Sequence, residues 1–91
     1  MRILAGEFSG RRLASPEGRG TRPMLARIRE SLFAILGDVI EDAVVLDLFS
    51  GTGSLGLEAL SRGARSVRFL ERDRRALARL AQNIEVLGVA D

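Results

Sequence analysis

The sequence predicts an α/β fold that opens a parallel sheet and is preceded by a basic β-hairpin. From residue 43 onward, apolar runs and helical periodicity alternate as strand, helix, strand, helix. A glycine-rich turn joins the first of these strands to the helix after it. Residues 1–29 carry seven Arg and two Glu, a net charge of +5, whereas residues 30–91 carry seven Arg and ten acids, a net charge of −3.

The composition excludes several classes of protein. A chain of 91 residues is one domain at most, and without cysteine or histidine it offers no disulfide, zinc site, catalytic thiol or imidazole base. No apolar run approaches the ~18 residues of a membrane span, and no signal-peptide core is present, so we expect a cytoplasmic protein. All 14 basic residues are arginine, so even the small net charge of +2 raises the pI to 10.9. The pI alone therefore does not indicate a nucleic-acid-binding protein.

The N-terminal third is predicted as a hairpin, a loop and a helix. Arg2 to Gly6 and Arg11 to Ala14 form two short strands around a glycine-containing turn, and residues 15–20 form a loop. Thr21-Arg22-Pro23 introduces a helix that Gly37 ends. The apolar residues at helical spacing are Leu25, Ile28, Leu32, Ile35 and Leu36. We therefore divide the chain into an N-terminal extension, residues 1–20, and the first part of an α/β domain, residues 21–91.

The α/β part contains two strands and two helices. Residues 43–49 are apolar except for Asp47, which is typical of a parallel strand covered on both faces. A helix from Ser54 to Arg62, stopped at Gly63, leads to a second strand from Ser66 to Leu70. Asp73 is the predicted N-cap of a helix that reaches Leu87 and stops at Gly88. The inner face of that helix is predicted to hold Leu77, Leu80, Ala81, Ile84 and Leu87.

The turn Gly51-Thr-Gly53-Ser-Leu-Gly56 matches G-x-G-x-x-G in its proper place, between a strand and a helix. Its glycines allow a sharp turn and a close approach of a ligand to the backbone. Glu71 lies eighteen residues after Gly53, where a carboxylate accepts hydrogen bonds from ribose hydroxyls. The alternative is a plain strand-to-helix turn whose glycines serve packing.

Asp47 indicates which nucleotide cofactor the turn would take. A carboxylate at the strand end repels a pyrophosphate but suits the sulfonium and ammonium groups of S-adenosylmethionine. This favours S-adenosylmethionine over NAD. Asp47 as a cap for loop amides is an alternative interpretation that is compatible with the first.

From Asp47 to Ala64 the sequence resembles the motif I region of the RsmD-type 16S ribosomal RNA guanine-N2 methyltransferases. The resemblance covers essentially the whole chain. Its other matching segments are Arg2 to Gly6 with Gly10 to Leu13 (the hairpin), Thr21 to Pro23 with Arg27 to Phe33 (the first helix), Glu71 with Asp73-Arg74 (the second motif), and Asn83. The motif I core is shared by many methyltransferases, and the hairpin with the Arg-Pro helix narrows the resemblance to this family.

The resemblance implies a Rossmann-like methyltransferase fold, S-adenosylmethionine as cofactor, and 16S rRNA or a small ribosomal subunit particle as partner. The residues implied at the methionine end of the cofactor are Asp47, Phe49, Ser50, Gly51, Thr52 and Gly53. Glu71 would bind the ribose and Arg72 would lie beside the adenine. Arg11 and Arg12 would meet RNA phosphates, and Arg22 would lie near the target base; a solvated surface is the alternative for these arginines. For Arg74, Arg75 and Arg79 the solvated face is the better interpretation.

Two features depart from the family pattern. Met24-Leu25-Ala26 stands where the family has polar, helix-capping residues. The family's catalytic Asp-Pro-Pro-Tyr (or Phe) motif lies beyond the second helix, and these 91 residues contain neither Pro-Pro nor tyrosine. We therefore assign no catalytic residue and expect no methylation by this chain alone.

Two parallel strands leave edges and faces without partners, so we also expect the chain to be marginally stable or to self-associate. Three other functions stay open. The chain could be a non-catalytic nucleic-acid-binding module that uses the basic hairpin, part of a DNA N-methyltransferase, or an NAD-binding fragment.

Overall fold

The computed structural model describes residues 2–14, 26–48 and 52–89, and within them it confirms the alternating α/β order. The elements in chain order are helix α1 (Ala26–Leu36), a 3-10 helix (Gly37–Ile40), strand β1 (Val44–Leu48), helix α2 (Ser54–Ser61), strand β2 (Ser66–Leu70) and helix α3 (Arg74–Leu87). The predicted helix entry at Thr21-Arg22-Pro23 and the predicted boundary after residue 20 lie outside the described residues. At Gly37 the α-helix ends as predicted, but the chain continues directly as the 3-10 helix.

β1 and β2 pair in parallel, with Val44 opposite Ser66 and Leu48 opposite Leu70. Parallel pairing brings the carboxyl ends of both strands to one edge of the sheet. The residues at and after those ends, Asp47 and Glu71, therefore lie near one another. This edge is where α/β sheets bind their ligands.

Only one face of the two-stranded sheet is covered by the described residues. α2 packs against that face, where the rings and methyl groups of Phe69 and Val67 surround the helix at Gly56. On the opposite face Val44, Leu46 and Leu48 are 71%, 57% and 56% exposed, so the prediction of a strand covered on both faces was wrong within the described ranges.

The N-terminal segment, residues 2–14, is not the predicted pair of strands. One antiparallel bridge joins Arg2 to Arg12, and the chain between them forms bends and turns. Within the described residues 2–14, pairing between the two arms is limited to this bridge and to the hydrogen bonds from Ile3 N to the Arg11 carbonyl and from Gly10 N to the Ile3 carbonyl. The backbone N–H groups of Leu4 and Ala5 donate to Glu58, and that of Phe8 donates to Ser61. The segment is therefore a turn closed by one bridge and bound to α2.

The core joins this segment to the α/β unit. Ile3 and Leu13 pack with Leu57 of α2 and Leu87 of α3 in one buried cluster. A second cluster of Phe33, Ile40 and Ala59 holds α1 and the 3-10 helix against α2. The N-terminal segment is thus part of the main core.

The inner face of α1 differs from the predicted one. Phe33 and Arg29 are buried, whereas the predicted Ile28 and Ile35 are 52% and 82% exposed. Leu32 and Leu36 are half-buried. On this inner face the Nε of the buried Arg29 lies 3.6 Å from Glu58 Oε1.

α3 has the predicted ends. The Asp73 carboxylate accepts from the Arg75 backbone N–H, and Gly88 ends the helix with φ of 70°. Leu80 and Leu87 are buried and Ile84 is half-buried, but Leu77 and Ala81 are exposed. Asn83, a polar residue, holds an inner position and is 1% exposed.

Among the helices of the described ranges, none has the length and apolar character that crossing a membrane requires.

Candidate functional site

Asp47 and Glu71 form an acidic edge at the carboxyl ends of β1 and β2. Asp47 is 9% exposed, and its Oδ2 accepts the backbone N–H of Gly56 at 3.1 Å. This bond confirms the capping interpretation of Asp47, since Gly56 lies in the first turn of α2. Burial raises the pKa of the Asp47 carboxyl, the bond from Gly56 lowers it, and the charge of Glu71 raises it further.

Glu71 directly follows β2 and is half-buried. Its Oε2 accepts the backbone N–H of Asp73 at 2.8 Å, which fixes the carboxylate over the β2–α3 connection. Arg72, beside it in the chain, is exposed. The structure thus places Asp47 and Glu71 together as the sequence predicted, with Arg72 at the solvent-facing side.

The described part of the turn consists of Thr52 and Gly53, both buried. Gly53 is the N-cap of α2 with φ of 90°, and a Cβ there would lie 2.4 Å from Leu80 Cδ1. A Cβ on Gly56 would lie 2.3 Å from Phe69 Cε1. Gly53 is required by both the backbone turn and the packing of α3, and Gly56 by helix–sheet contact. Phe49, Ser50 and Gly51 lie outside the described residues.

The chemistry of this edge fits a ligand with a cationic centre and a ribose. Asp47 places a carboxyl group in a buried position at the strand end, where its ionised form would repel a pyrophosphate. Glu71 supplies a carboxylate at the position that binds ribose hydroxyls in nucleotide-binding α/β folds. These residues therefore fit S-adenosylmethionine better than NAD.

Two of the three arginines predicted to contact RNA, Arg11 and Arg12, are exposed on the N-terminal segment. Arg12 is exposed at the bridge to Arg2. Arg11 is also exposed, and its Nη2 donates to the Val86 carbonyl oxygen at 2.8 Å, in the last turn of α3. Arg22 lies outside the described residues. Arg29, which contributes to the N-terminal charge of +5, is 1% exposed and adds nothing to a basic surface.

Glu58 is the main polar residue that sequence reasoning missed. It is 0% exposed, and its carboxylate accepts from Leu4 N at 2.9 Å, Ala5 N at 3.1 Å and Arg62 Nε at 2.8 Å. Arg29 Nε lies 3.6 Å from Glu58 Oε1, and Arg29 also donates through Nη2 to the Arg2 carbonyl. The only sequence signal was the i,i+4 spacing of Glu58 and Arg62, which is usual for exposed helical ion pairs.

The chain is similar to known proteins over its whole length. The family model described as Conserved hypothetical protein 95 matches residues 1–91. The ribosomal RNA small subunit methyltransferase D of Escherichia coli strain K12 is 46% identical over 87 residues, which are 96% of this chain and 44% of that protein. The protein of the same name from Haemophilus influenzae is 44% identical over 96% of this chain and 45% of its own length.

Solved structures have the same fold over the same region. The Escherichia coli protein yhhF matches with a TM-score of 0.88 and 41% identity, over 99% of this chain and 48% of its own. A hypothetical protein of Thermus thermophilus matches with a TM-score of 0.82 and 36% identity, over 97% and 50%. The chain spans about half the length of the relatives it matches. With a Rossmann-like sheet, a glycine turn flanked by Asp47 and Glu71, and similarity over its whole length, the chain belongs to the RsmD family of methyltransferases and corresponds to the N-terminal portion of its members.

Proposed function

We propose that this chain is the cofactor-binding N-terminal portion of an S-adenosylmethionine-dependent methyltransferase that acts on the exocyclic N2 of a guanine in 16S rRNA. The observation that carries the proposal is the pair of carboxylates, Asp47 and Glu71, at the carboxyl ends of β1 and β2, close enough for the charge of Glu71 to raise the pKa of Asp47. The names of the curated relatives support ribosomal RNA as the substrate class.

S-adenosylmethionine supplies an electrophilic methyl group on a sulfonium. In our proposal Asp47 and residues 49–53 surround the methionine end, Glu71 holds the ribose and Arg72 lies beside the adenine. Arg11, Arg12 and Arg22 contact RNA, as 16S rRNA or a small ribosomal subunit particle. What this portion contributes is the binding and orientation of the cofactor, which is a large part of catalysis by positioning.

The base-binding chemistry is not carried by these 91 residues, which lack the Asp-Pro-Pro-Tyr/Phe motif of the family. We therefore propose that this portion binds cofactor but does not methylate by itself. A non-catalytic nucleic-acid-binding module, the alternative from another class, would bind RNA without affinity for the cofactor.

Calorimetric titration with S-adenosylhomocysteine tests the proposal. We expect the wild-type chain to bind and Glu71→Ala to bind at least about tenfold more weakly, because hydrogen bonds from ribose hydroxyls to a carboxylate are lost. Glu85→Ala, an exposed glutamate of α3, is the matched control and should bind like the wild type. Absence of binding by the wild type, or binding unchanged in Glu71→Ala, would contradict the proposal.

A further inference from the structure

Asn83 joins two parts of the molecule that are distant in sequence. Its Oδ1 accepts the Ala14 backbone N–H at 2.6 Å, and its Nδ2 donates to the Ala14 carbonyl at 3.3 Å. The same Nδ2 donates to the Thr52 carbonyl at 2.9 Å. One buried amide therefore holds the end of the N-terminal segment and the glycine turn at the same time.

Only a carboxamide can make this set of bonds. An amide group offers two N–H donors and an acceptor oxygen, and here both donors and the acceptor are engaged. An aspartate keeps the acceptor for Ala14 N but loses both donors, so the Ala14 and Thr52 carbonyls lose their bond to residue 83. A leucine of similar volume supplies none of the three.

Neighbouring turns of α3 make contacts to the same two parts. Leu80, one turn before Asn83, packs so closely on Gly53 that a Cβ there would lie 2.4 Å from Leu80 Cδ1. Val86, one turn after, accepts a hydrogen bond from Arg11 through its carbonyl. α3 thus contacts the turn through Leu80, the N-terminal segment through Val86, and both through Asn83.

We infer that Asn83 is a positioning residue that makes the N-terminal segment and the cofactor turn move as one unit. Ala14 directly precedes the stretch that leads to Arg22. Ordering of the turn by the cofactor is therefore transmitted, through the Asn83 amide, to the segment that carries the proposed RNA contacts. The linkage itself stands on the hydrogen bonds, whereas its use in the reaction rests on the proposed function.

Amide hydrogen exchange of the unliganded chain tests the linkage. In Asn83→Asp we expect exchange to be faster by about tenfold in two segments, residues 11–14 and residues 52–56, because both lose a hydrogen bond. The control is Ser61→Ala, which removes the bonds of Ser61 Oγ to Phe8 N and Ala5 O and leaves Asn83 intact. It should speed exchange in residues 5–8 only.

The linkage is overturned if Asn83→Asp accelerates exchange in one of the two segments alone or in neither. Should that variant fail to fold, Asn83→Gln keeps the amide and displaces it by one methylene. The same two segments should then respond together, and a response in only one of them overturns the proposal.

Adding S-adenosylhomocysteine to the wild type tests whether cofactor binding at the turn is transmitted to the N-terminal segment. Slower exchange in residues 11–14 as well as 52–56 supports transmission, and slower exchange in residues 52–56 alone overturns it. If the wild type does not bind S-adenosylhomocysteine, the cofactor part of the proposed function fails and transmission of cofactor binding fails with it. The exchange measurements without ligand still decide whether Asn83 links the two segments.

Discussion

Asp47 is a buried carboxylate whose charge costs stability in the folded chain. Burial and the neighbouring charge of Glu71 raise its pKa, and the Gly56 N–H offsets them only in part. A residue that holds charge in such a position is a candidate for ligand binding, because a cationic ligand relieves the repulsion that the free protein carries. We therefore propose that the charge of Asp47 destabilises the free fold and contributes to cofactor binding.

We predict that Asp47→Asn stabilises the fold and weakens cofactor binding. The pKa of Asp47 is higher in the folded state than in the unfolded chain, so ionisation of this carboxyl lowers the free energy of unfolding. This loss of stability is absent below the ordinary Asp pKa of about 3.9 and complete above the raised pKa of the folded state. The increase in Tm should therefore be larger at pH 7 than at pH 4. The Asn oxygen can still accept the Gly56 N–H.

Thermal unfolding at the two pH values, with titration of S-adenosylhomocysteine at pH 7, measures both effects. Binding should fall at least about tenfold, the loss expected for one charged contact. Asp38→Asn, at an exposed position of the 3-10 helix, is the control and should change neither property. A lower Tm for Asp47→Asn at pH 7, or unchanged affinity, would contradict the prediction.

Glu58 is the residue whose loss should damage the fold most. Glu58→Gln leaves the buried Arg29 without its counter-charge and places an NH₂ group near the donors of Leu4, Ala5 or Arg62. Breaking one partner of a buried ion pair costs about 3–5 kcal/mol. Urea unfolding should show a loss in that range, whereas Glu85→Gln at an exposed site should stay within about 0.5 kcal/mol.

The double variant Arg29→Met with Glu58→Gln separates charge from shape. Because the double variant removes both charges, its loss in free energy of unfolding should be smaller than the sum of the losses of Glu58→Gln and Arg29→Met. Additive losses would show that the pairing of Arg29 with Glu58 is not what makes Glu58→Gln destabilising.

At the scale of elements, the contact of α2 with β2 depends on the missing side chain of Gly56. A methyl group there would meet Phe69 Cε1 at 2.3 Å and Val67 Cγ1 at 2.8 Å. Glycine to alanine in a helix otherwise gains about 1 kcal/mol, but overpacking costs about 1–3 kcal/mol. We predict that Gly56→Ala lowers the free energy of urea unfolding of the wild-type chain. The same substitution made in a Phe69→Leu background should lower it less. An equal loss in both backgrounds would rule out the ring contact as the cause.

The N-terminal segment is the element proposed to contact RNA. Arg11→Ala with Arg12→Ala should weaken binding of a 16S rRNA fragment and lower the slope of log K against log salt by about 1.4–1.8, the value for two lost phosphate contacts. The pair Arg74→Ala with Arg75→Ala, exposed on α3, removes the same charge and serves as the control. Filter binding over a range of salt concentrations measures both slopes. Equal reductions by the two pairs would contradict a specific role for the segment.

The elements that local signals define were predictable from the sequence. β2 runs from Ser66 to Leu70, and α3 lies between the Asp73 cap and Gly88, as predicted. The N-terminal arms pair in antiparallel fashion as predicted, but through one bridge only, and the N–H groups of Leu4, Ala5 and Phe8 donate instead to Glu58 and Ser61, more than 50 residues away. No pattern within residues 1–14 reports such long-range bonds.

The candidate site was predictable to the same extent. Asp47 was located by its place at the end of the strand before the glycine motif, and Glu71 by its place after the next strand, eighteen residues beyond Gly53. The buried roles of Arg29, Glu58 and Asn83 were not, because polar residues in helices ordinarily face solvent. Asn83 stood out in the family resemblance, but the hydrogen bonds that give it a role join three separate segments.

In the whole molecule, as far as the described residues show, one face of the sheet is apolar and exposed. Val44, Leu46, Leu48 and Leu70 are each more than half exposed on it. Contiguous apolar surface of this kind marks an interaction site or leads to association. The chain spans about half the length of its relatives. We propose that, in a solution of this chain without other proteins, a second copy of the chain covers this face.

We predict concentration-dependent self-association that Leu46→Glu abolishes. Leu46 pairs with Arg68 in the register of the sheet, so the new carboxylate gains a cross-strand partner while it disrupts the apolar face. Ile35→Glu, 82% exposed on α1, adds the same charge elsewhere and should associate like the wild type. Sedimentation velocity measures all three. A wild-type monomer with one sharp unfolding transition at low micromolar concentration would contradict this prediction.

We propose that S-adenosylmethionine binds at the edge formed by Asp47, the glycine turn and Glu71. Photolabelling of the chain with S-adenosylmethionine that carries a radioactive methyl group, followed by peptide mapping, tests it most directly. We predict label in peptides that contain residues 47–53 or 71–72, displaced by S-adenosylhomocysteine and not by an equal concentration of NAD. Label confined to other peptides would show that S-adenosylmethionine does not bind at this edge, and equal displacement by NAD would show that the edge does not select it.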